Sequence, residues 1–230
     1  MTIENLHTLF LKHQLIDTDT RKIRRNSLFF ALKGDNFNGN KFANEALNKG
    51  ASYAIIDEAE YNGDHTILVE NVLNTLQQLA NFHRKQLNIP IISLTGSNGK
   101  TTTKELINAV LSKKYKTSAT TGNLNNHIGV PLTLANLDLN ADIAILEIGT
   151  NHPGEILALS ELVQPDVAVV TAVGAGHIEY FPSVKDIAQE KVFIAAALTE
   201  GGVAILPAES EFFPLMKTTV NQEYKHSVMA

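Results

Sequence analysis

The sequence predicts an α/β fold: a small N-terminal α/β segment, then a mostly parallel sheet of P-loop type with covering helices. Three observations carry this prediction. Ile91-Ile-Ser-Leu94 is a short apolar strand that runs through a glycine turn into a lysine-threonine step, Thr95-Gly-Ser-Asn-Gly-Lys-Thr101. From Ile91 onward apolar strands alternate with helical patterns, the texture of parallel strands joined by covering helices. Polar residues able to do chemistry follow those strands, where open parallel sheets gather ligands.

The elements follow in order. Ile3, Leu6, Leu9 and Phe10 mark an amphipathic helix over 2–13. Residues 27–32 read as a buried strand, stopped by Lys33-Gly34-Asp35, and 42–49 as a helix closed by Gly50. Strands follow at 53–56 and 66–69, then a helix over 72–87 whose apolar face includes Leu73, Leu76, Leu79 and Leu87. Asn88-Ile89-Pro90 is the join, because the residue before proline avoids the helical region. The expected domains are therefore 1–88 and 89–230. In the second, a helix near 101–112 follows the glycine turn. A strand over 142–148 leads to a helix over 154–163, and a strand over 166–173 leads to a helix over 183–199. Gly201-Gly202 ends that helix before a strand at 203–206.

Composition narrows the function. Of 230 residues, 44% are hydrophobic and 19% charged, enough apolar material for a core. A formal charge of −5 gives no reason to expect a nucleic-acid partner. No apolar run approaches the ~18 residues of a membrane span, and the N-terminus lacks the basic-then-apolar order of a secretory signal. The absence of cysteine excludes disulfides and thiolate chemistry, so the expected location is the cytoplasm.

The glycine turn is the strongest chemical signal. Its backbone N–H groups point inward at phosphate oxygens, Lys100 reaches terminal phosphates, and Thr101 can ligate Mg²⁺ at the helix N-terminus. A general Walker A loop needs glycine at position 94, where Leu94 stands, so the spacing is shortened. Glu147 ends the strand that precedes Gly149-Thr-Asn-His-Pro-Gly-Glu155. A carboxylate there suits Mg²⁺, which prefers oxygen ligands, or it simply escapes at a strand edge. His177 lies in the glycine-flanked loop Gly174-Ala-Gly-His-Ile-Glu179; imidazole is a less usual magnesium ligand. Lys191 falls about 20° around its helix from Val184, among Ile187, Ala188, Ala195 and Leu198. Such a lysine is paired, neutral, modified or snorkelling. Thr121-Gly-Asn-Leu-Asn-Asn-His-Ile-Gly-Val-Pro131 supplies asparagines that bind polar groups or satisfy turns.

Together these motifs resemble the Mur ligases, which join amino acids to peptidoglycan precursors. The loop Thr95–Thr101 resembles their ATP loop, shortened spacing included. Gly122-Asn-Leu-Asn-Asn126, Ile128-Gly-Val-Pro131 and Glu147-Ile-Gly-Thr-Asn-His-Pro-Gly-Glu155 resemble the branch that adds D-alanyl-D-alanine to a UDP-N-acetylmuramoyl-tripeptide. Asp19-Thr-Arg-Lys22 and Phe29-Phe-Ala-Leu-Lys-Gly34 resemble that branch's UDP-substrate domain.

The resemblance implies ATP and Mg²⁺ as cofactors, and an acyl phosphate that the amine of D-alanyl-D-alanine attacks. It implies nucleotide contacts from Thr95, Gly96, Ser97, Asn98, Gly99, Lys100, Thr101 and Thr102. It implies magnesium ligation by Thr101, Glu147, His177 and Lys191, the last as a carbamate, with Lys100, Glu147, His177 and Lys191 as the catalytic set. Thr20, Arg21, Lys33, Gly34, Asn123, Asn125 and Asn126 are then the expected substrate contacts, and a monomer is the expected state. Residues 1–88 would be the UDP-substrate domain and 89–230 an incomplete ATP-binding domain, with a C-terminal ligase domain absent. The competing readings are another Mur ligase, a folylpolyglutamate synthase-like ligase, or a non-catalytic nucleotide- or UDP-substrate-binding fragment.

Overall fold

The computed structural model describes every residue of the chain except His177. Contacts divide it into two units, Met1–Gln86 with Leu134–Asn136, and Leu87–Thr133 with Leu137–Ala230. Both are α/β, with mostly parallel sheets and covering helices.

The first unit begins with α1 (Ile3–His13), whose N-cap Thr2 accepts a hydrogen bond from the Asn5 N–H. Next come β1 (Ile16–Asp17), β2 (Leu28–Phe30), β3 (Lys33–Gly34), β4 (Phe37–Asn38) and α2 (Ala43–Asn48). β5 (Tyr53–Ile56), β6 (Thr66–Leu68) and α3 (Val72–Arg84) complete it. The sheet runs β1-β2-β5-β6 with every pair parallel. Leu28, Phe29 and Phe30 are all buried, since helices cover both faces of such a sheet and its strands read as continuous apolar runs. Lys33-Gly34 does more than stop β2, because it opens a small antiparallel hairpin with Phe37-Asn38. The helix expected over 72–87 closes at Arg84.

Between α1 and α3 the rings of His7 and His83 meet at 3.1 Å, Nε2 to Nδ1, and both residues are buried. His83 Nε2 has no hydrogen-bond partner among the described residues. Burial, and then the neighbouring His7, pushes His83 down to about 4; burial also lowers His7. Unfolded histidine takes up its proton near pH ~6.5, so below that the unfolded chain binds more protons than the folded one. This stabilisation is complete above about pH 6.5 and is lost as pH falls toward the folded value. We predict a melting midpoint that drops between pH 6.5 and 4, and a shallower slope in His83→Phe, measured by circular dichroism. An unchanged slope in the variant rejects the assignment. Carboxylates such as Asp19, held at about 2 chiefly by its hydrogen bonds with Arg21, act only at lower pH.

The second unit holds β7 (Ile91–Thr95), α4 (Lys100–Leu111), β8 (Thr117–Ala119), most of α5 (Gly129–Ala135, whose last two residues group with the first unit) and β9 (Ile143–Glu147). It continues with α6 (Glu155–Val163), β10 (Val167–Val170), α7 (Val184–Val192), β11 (Val203–Ile205), α8 (Phe213–Thr218) and β12 (Ser227–Met229). Its sheet is parallel throughout, in the order β12-β11-β10-β7-β9-β8. The chain leaves β7 to build β8 and β9 on one side and β10 to β12 on the other. β7 therefore borders the topological switch point, the place where such sheets bind ligands.

The helix expected over 183–199 is shorter. α7 ends at Val192 and tightens into a 3₁₀ turn, Phe193–Ala195, that buries Ile194 and Ala195. α5 starts inside the asparagine-rich segment read as a loop, with Pro131 in its first turn, where a missing N–H does little harm. Among the described residues, no helix is long and apolar enough to cross a membrane.

Candidate active site

The turn after β7 is built by two glycines and by the segment that follows β10. Gly96 has φ +157°, and a Cβ there would lie 2.0 Å from Thr171 Oγ1. Ser97 N–H donates to the Ala172 carbonyl at 2.9 Å, and Gly174 N–H donates to Ser97 Oγ at 3.0 Å. Thr171 Oγ1 donates to the carbonyl oxygens of Asn98 at 2.6 Å and Thr95 at 3.2 Å. Gly99, at φ +80°, is the N-cap of α4 and supplies no side-chain cap. The first-turn amides of α4 thus have no side-chain capping oxygen at Gly99, the arrangement that can accept an anion. Lys100 lies back over the turn, its Nζ donating to the Gly96 carbonyl at 2.8 Å. Thr95 ends β7 fully buried, with a hydroxyl that lacks a hydrogen-bond partner among the described residues. Thr102 is exposed in the first turn of α4.

Glu147, 1% exposed at the end of β9, faces this turn. Thr101 Oγ1 donates to its Oε2 at 2.9 Å and Asn125 Nδ2 to its Oε1 at 2.8 Å. No cation among the described residues pairs with this buried carboxylate. A carboxylate beside a hydroxyl is an oxygen donor set that suits Mg²⁺, an ion that shares its shell with waters and phosphates. Among the described residues there is no cluster of three or more His, Cys, Asp or Glu that could hold a metal.

The asparagines of the 121–131 segment join the same site. Asn123, Asn125 and Asn126 line a cleft of about 230 Å³ with Lys100, Gly149, Thr150, Asn151 and Glu155. Its wall is held by carboxylates that the sequence motifs did not single out for this work. Glu155 Oε2 accepts from the N–H groups of Asn151 and His152 at 2.6 and 3.0 Å. Burial alone would raise its carboxyl, but these backbone donors, together with hydrogen bonds from the Thr150 and His152 side chains, outweigh burial and hold it below the usual range. Glu190, buried on α7, accepts from Gly154 N–H and Ile156 N–H at 2.9 Å each. It thereby caps α6, whose own N-cap Gly154 has no side chain to do so. The signal available in the sequence was Gly154 in front of an apolar helix, a cap that another element must complete.

Lys191 is 2% exposed, so its ammonium does not snorkel. Burial, then the charge of Lys100, pushes its amine down to about 8, against an opposing pull from Glu190. His177 lies outside the described residues.

The remaining sequence-predicted residues belong to the first unit, at the carboxyl ends of its strands. Thr20 and Arg21 follow β1 in a 3₁₀ turn capped by Asp19, and Arg21 forms an ion pair with Asp19 at 2.7 Å. Lys33 and Gly34 follow β2. Lys33 Nζ lies 3.0 Å from Asp57 and 3.4 Å from Glu58, and the bond to Asp57 holds its amine above the ordinary value. A separate cleft of about 800 Å³ in this unit, lined by Lys12, His13, Tyr53 and His65 among others, includes none of the predicted residues.

The Mur ligase middle domain family model matches residues 94–229, and the Mur ligase family, catalytic domain model matches residues 12–94. The UDP-N-acetylmuramoyl-tripeptide–D-alanyl-D-alanine ligase of Bacillus subtilis is 45% identical over 157 residues, 67% of this chain and 34% of that protein. MurF from Acinetobacter baumannii aligns with a TM-score of 0.85 and 34% identity, covering 93% of this chain and 47% of its own. MurF ligase from Thermotoga maritima, solved in complex with ADP, gives a TM-score of 0.84 and 32% identity, covering 95% and 50%. The chain therefore spans about a third of the curated relative's length and about half of the solved chains. With a family model matched from β7 through β12, the chain belongs to the Mur ligase family.

Proposed function

We propose that this chain carries the nucleotide-phosphate site and the UDP-substrate site of an ATP-dependent ligase. That ligase joins D-alanyl-D-alanine to UDP-N-acetylmuramoyl-tripeptide in peptidoglycan precursor synthesis, in the cytoplasm. The observation that carries the reading is the Thr101–Glu147 contact at 2.9 Å beside the uncapped N-terminus of α4. The names of the relatives and the ADP in one solved neighbour support the substrates and the nucleotide.

Residues 95–102 hold the phosphates: the turn amides bind oxygens, and Lys100 leaves the Gly96 carbonyl to meet the terminal phosphate. Thr101 and Glu147 hold Mg²⁺, His177 keeps the ligand role that the resemblance implies, and Lys191 bears on a second ion as its carbamate. Burial and the charge of Lys100 raise the share of neutral amine at Lys191, the form that combines with carbon dioxide. In the second unit Asn123, Asn125 and Asn126 orient the acyl group beside Lys100; in the first, Thr20, Arg21, Lys33 and Gly34 are the UDP contacts that the resemblance implies. ATP supplies a phosphoryl group to the substrate's terminal carboxylate, and the incoming amine then displaces phosphate from the acyl phosphate. The protein contributes positioning and electrostatic stabilisation of phosphate charge.

Calorimetric titration of the full chain with ADP, with and without Mg²⁺, and separately with UDP-N-acetylmuramoyl-tripeptide tests this. Both ligands bind, and chelating Mg²⁺ weakens ADP by about tenfold, or ~1.4 kcal/mol. Absence of nucleotide binding sinks the reading.

A further inference from the structure

Lys104 is the one residue of α4 that is fully buried, although Ile107 and Leu111 share its face of the helix. An ammonium taken out of water costs several kcal/mol unless hydrogen bonds and opposite charge offset it. A hydrophobic residue would fill that space without the penalty. What lysine does there, and an apolar residue could not, is donate. Its Nζ donates to the Thr120 carbonyl at 2.7 Å and lies 2.9 Å from Oε1 of Glu105, a side chain 62% exposed.

Thr120, itself buried, is the link to the site. Its N–H donates to the Ile145 carbonyl at 2.9 Å, and its hydroxyl accepts from the Glu147 N–H at 3.0 Å. Thr101 and Lys104 lie three residues apart, on one face of α4. The helix therefore grips the end of β9 twice. Thr101 holds the carboxylate of Glu147 directly, and Lys104 holds its backbone through Thr120.

We infer that Lys104 is a positioning residue that sets, through Thr120, the separation between the Thr101 hydroxyl and the Glu147 carboxylate where Mg²⁺ binds. The inference rests on the magnesium reading given above. Lys104 touches neither nucleotide nor ion. It acts on where the two oxygen ligands stand.

The test is the magnesium enhancement of ADP affinity, the ratio of the dissociation constants in EDTA and in Mg²⁺, measured by calorimetry on the full chain. Lys104→Met removes the donor and the charge while filling the space. Thr120→Val removes the hydroxyl that holds Glu147 N–H while keeping the carbonyl and the shape. Both variants are expected to bind ADP in EDTA within about twofold of the parent. Both are expected to lose most of the roughly tenfold magnesium enhancement, bringing that ratio close to one, since a group that orients a ligand is commonly needed for metal affinity. A merely structural role would lower the melting midpoint and leave that ratio untouched. Parent-like enhancement in folded variants overturns the inference alone. A parent chain with no magnesium enhancement overturns the metal reading itself. Should Lys104→Met fail to fold, Thr120→Val decides the matter.

Discussion

Lys100→Ala will bind ADP and ATP on the order of 100-fold more weakly than the parent chain, a loss of about 3 kcal/mol. The residue starts α4 with its ammonium over the turn, where it donates a hydrogen bond to the Gly96 carbonyl at 2.8 Å. Phosphate oxygens are far better partners for that ammonium than a neutral carbonyl, so the side chain's energetic role appears only with nucleotide present. Stability should change little, since α4 keeps Gly99 as its N-cap and the first helical bond, Thr103 N–H to Gly99 O, is untouched. Calorimetry with a parallel thermal melt separates the two effects. Parent-like nucleotide affinity in a folded Lys100→Ala chain would remove the phosphate role from this turn.

Gly96→Ala will damage both fold and binding. The new methyl would stand 2.0 Å from Thr171 Oγ1 and 3.1 Å from the Ala172 backbone nitrogen. Thr171 cannot turn aside freely, because its hydroxyl donates to Asn98 and Thr95 carbonyls that shape the turn. Overpacking of this kind costs about 1–3 kcal/mol, and here any relief must come from moving the phosphate turn itself. The expected result is a melting midpoint several degrees lower, at ~2–4 °C per kcal/mol, together with lost nucleotide affinity. Adding Thr171→Ala removes the nearest clash, so the double variant should be more stable than the sum of the single effects. Strict additivity would show that Thr171 is not the obstacle.

Much of the second unit was legible in the residues. The strands at 91–94, 142–148, 166–173 and 203–206 announce themselves as apolar runs, because a strand buried on both faces needs no polar alternation. The small polar strand Thr117–Ala119 gave no such signal, and neither did Ser227–Met229, which is strand only because β11 offers it an edge. α5 was hidden by its own start, since Gly129 and Pro131 read locally as turn residues. In the first unit, the pairing of His7 with His83 spans 76 positions and left no mark on either neighbourhood.

The candidate site divides the same way. Gly96, Gly99, Lys100 and Thr101 were evident because a phosphate turn is a local object, with backbone angles, donors and helix start all within a few residues. Glu147 and Lys191 were visible as anomalies, a charge ending one apolar strand and a charge within an apolar stripe. Their partners were not. Thr101 meets Glu147 across 46 positions, Asn125 meets it across 22, and Glu190 reaches Gly154 across 36. A sequence reports the cost of burying a polar group, but the group that offsets the cost is chosen by the sheet order that brings distant strand ends together.

By itself, then, the sequence determined the alternating parallel architecture, the phosphate turn and the family it resembles, because each rests on contiguous residues. Only the tertiary structure decided that Asn125 and Thr101 share one carboxylate, that Glu190 caps α6, and that Lys104 faces inward to hold Thr120. Those are choices of partner, and hydrogen bonds between buried groups are settled by the packing that excludes water from around them.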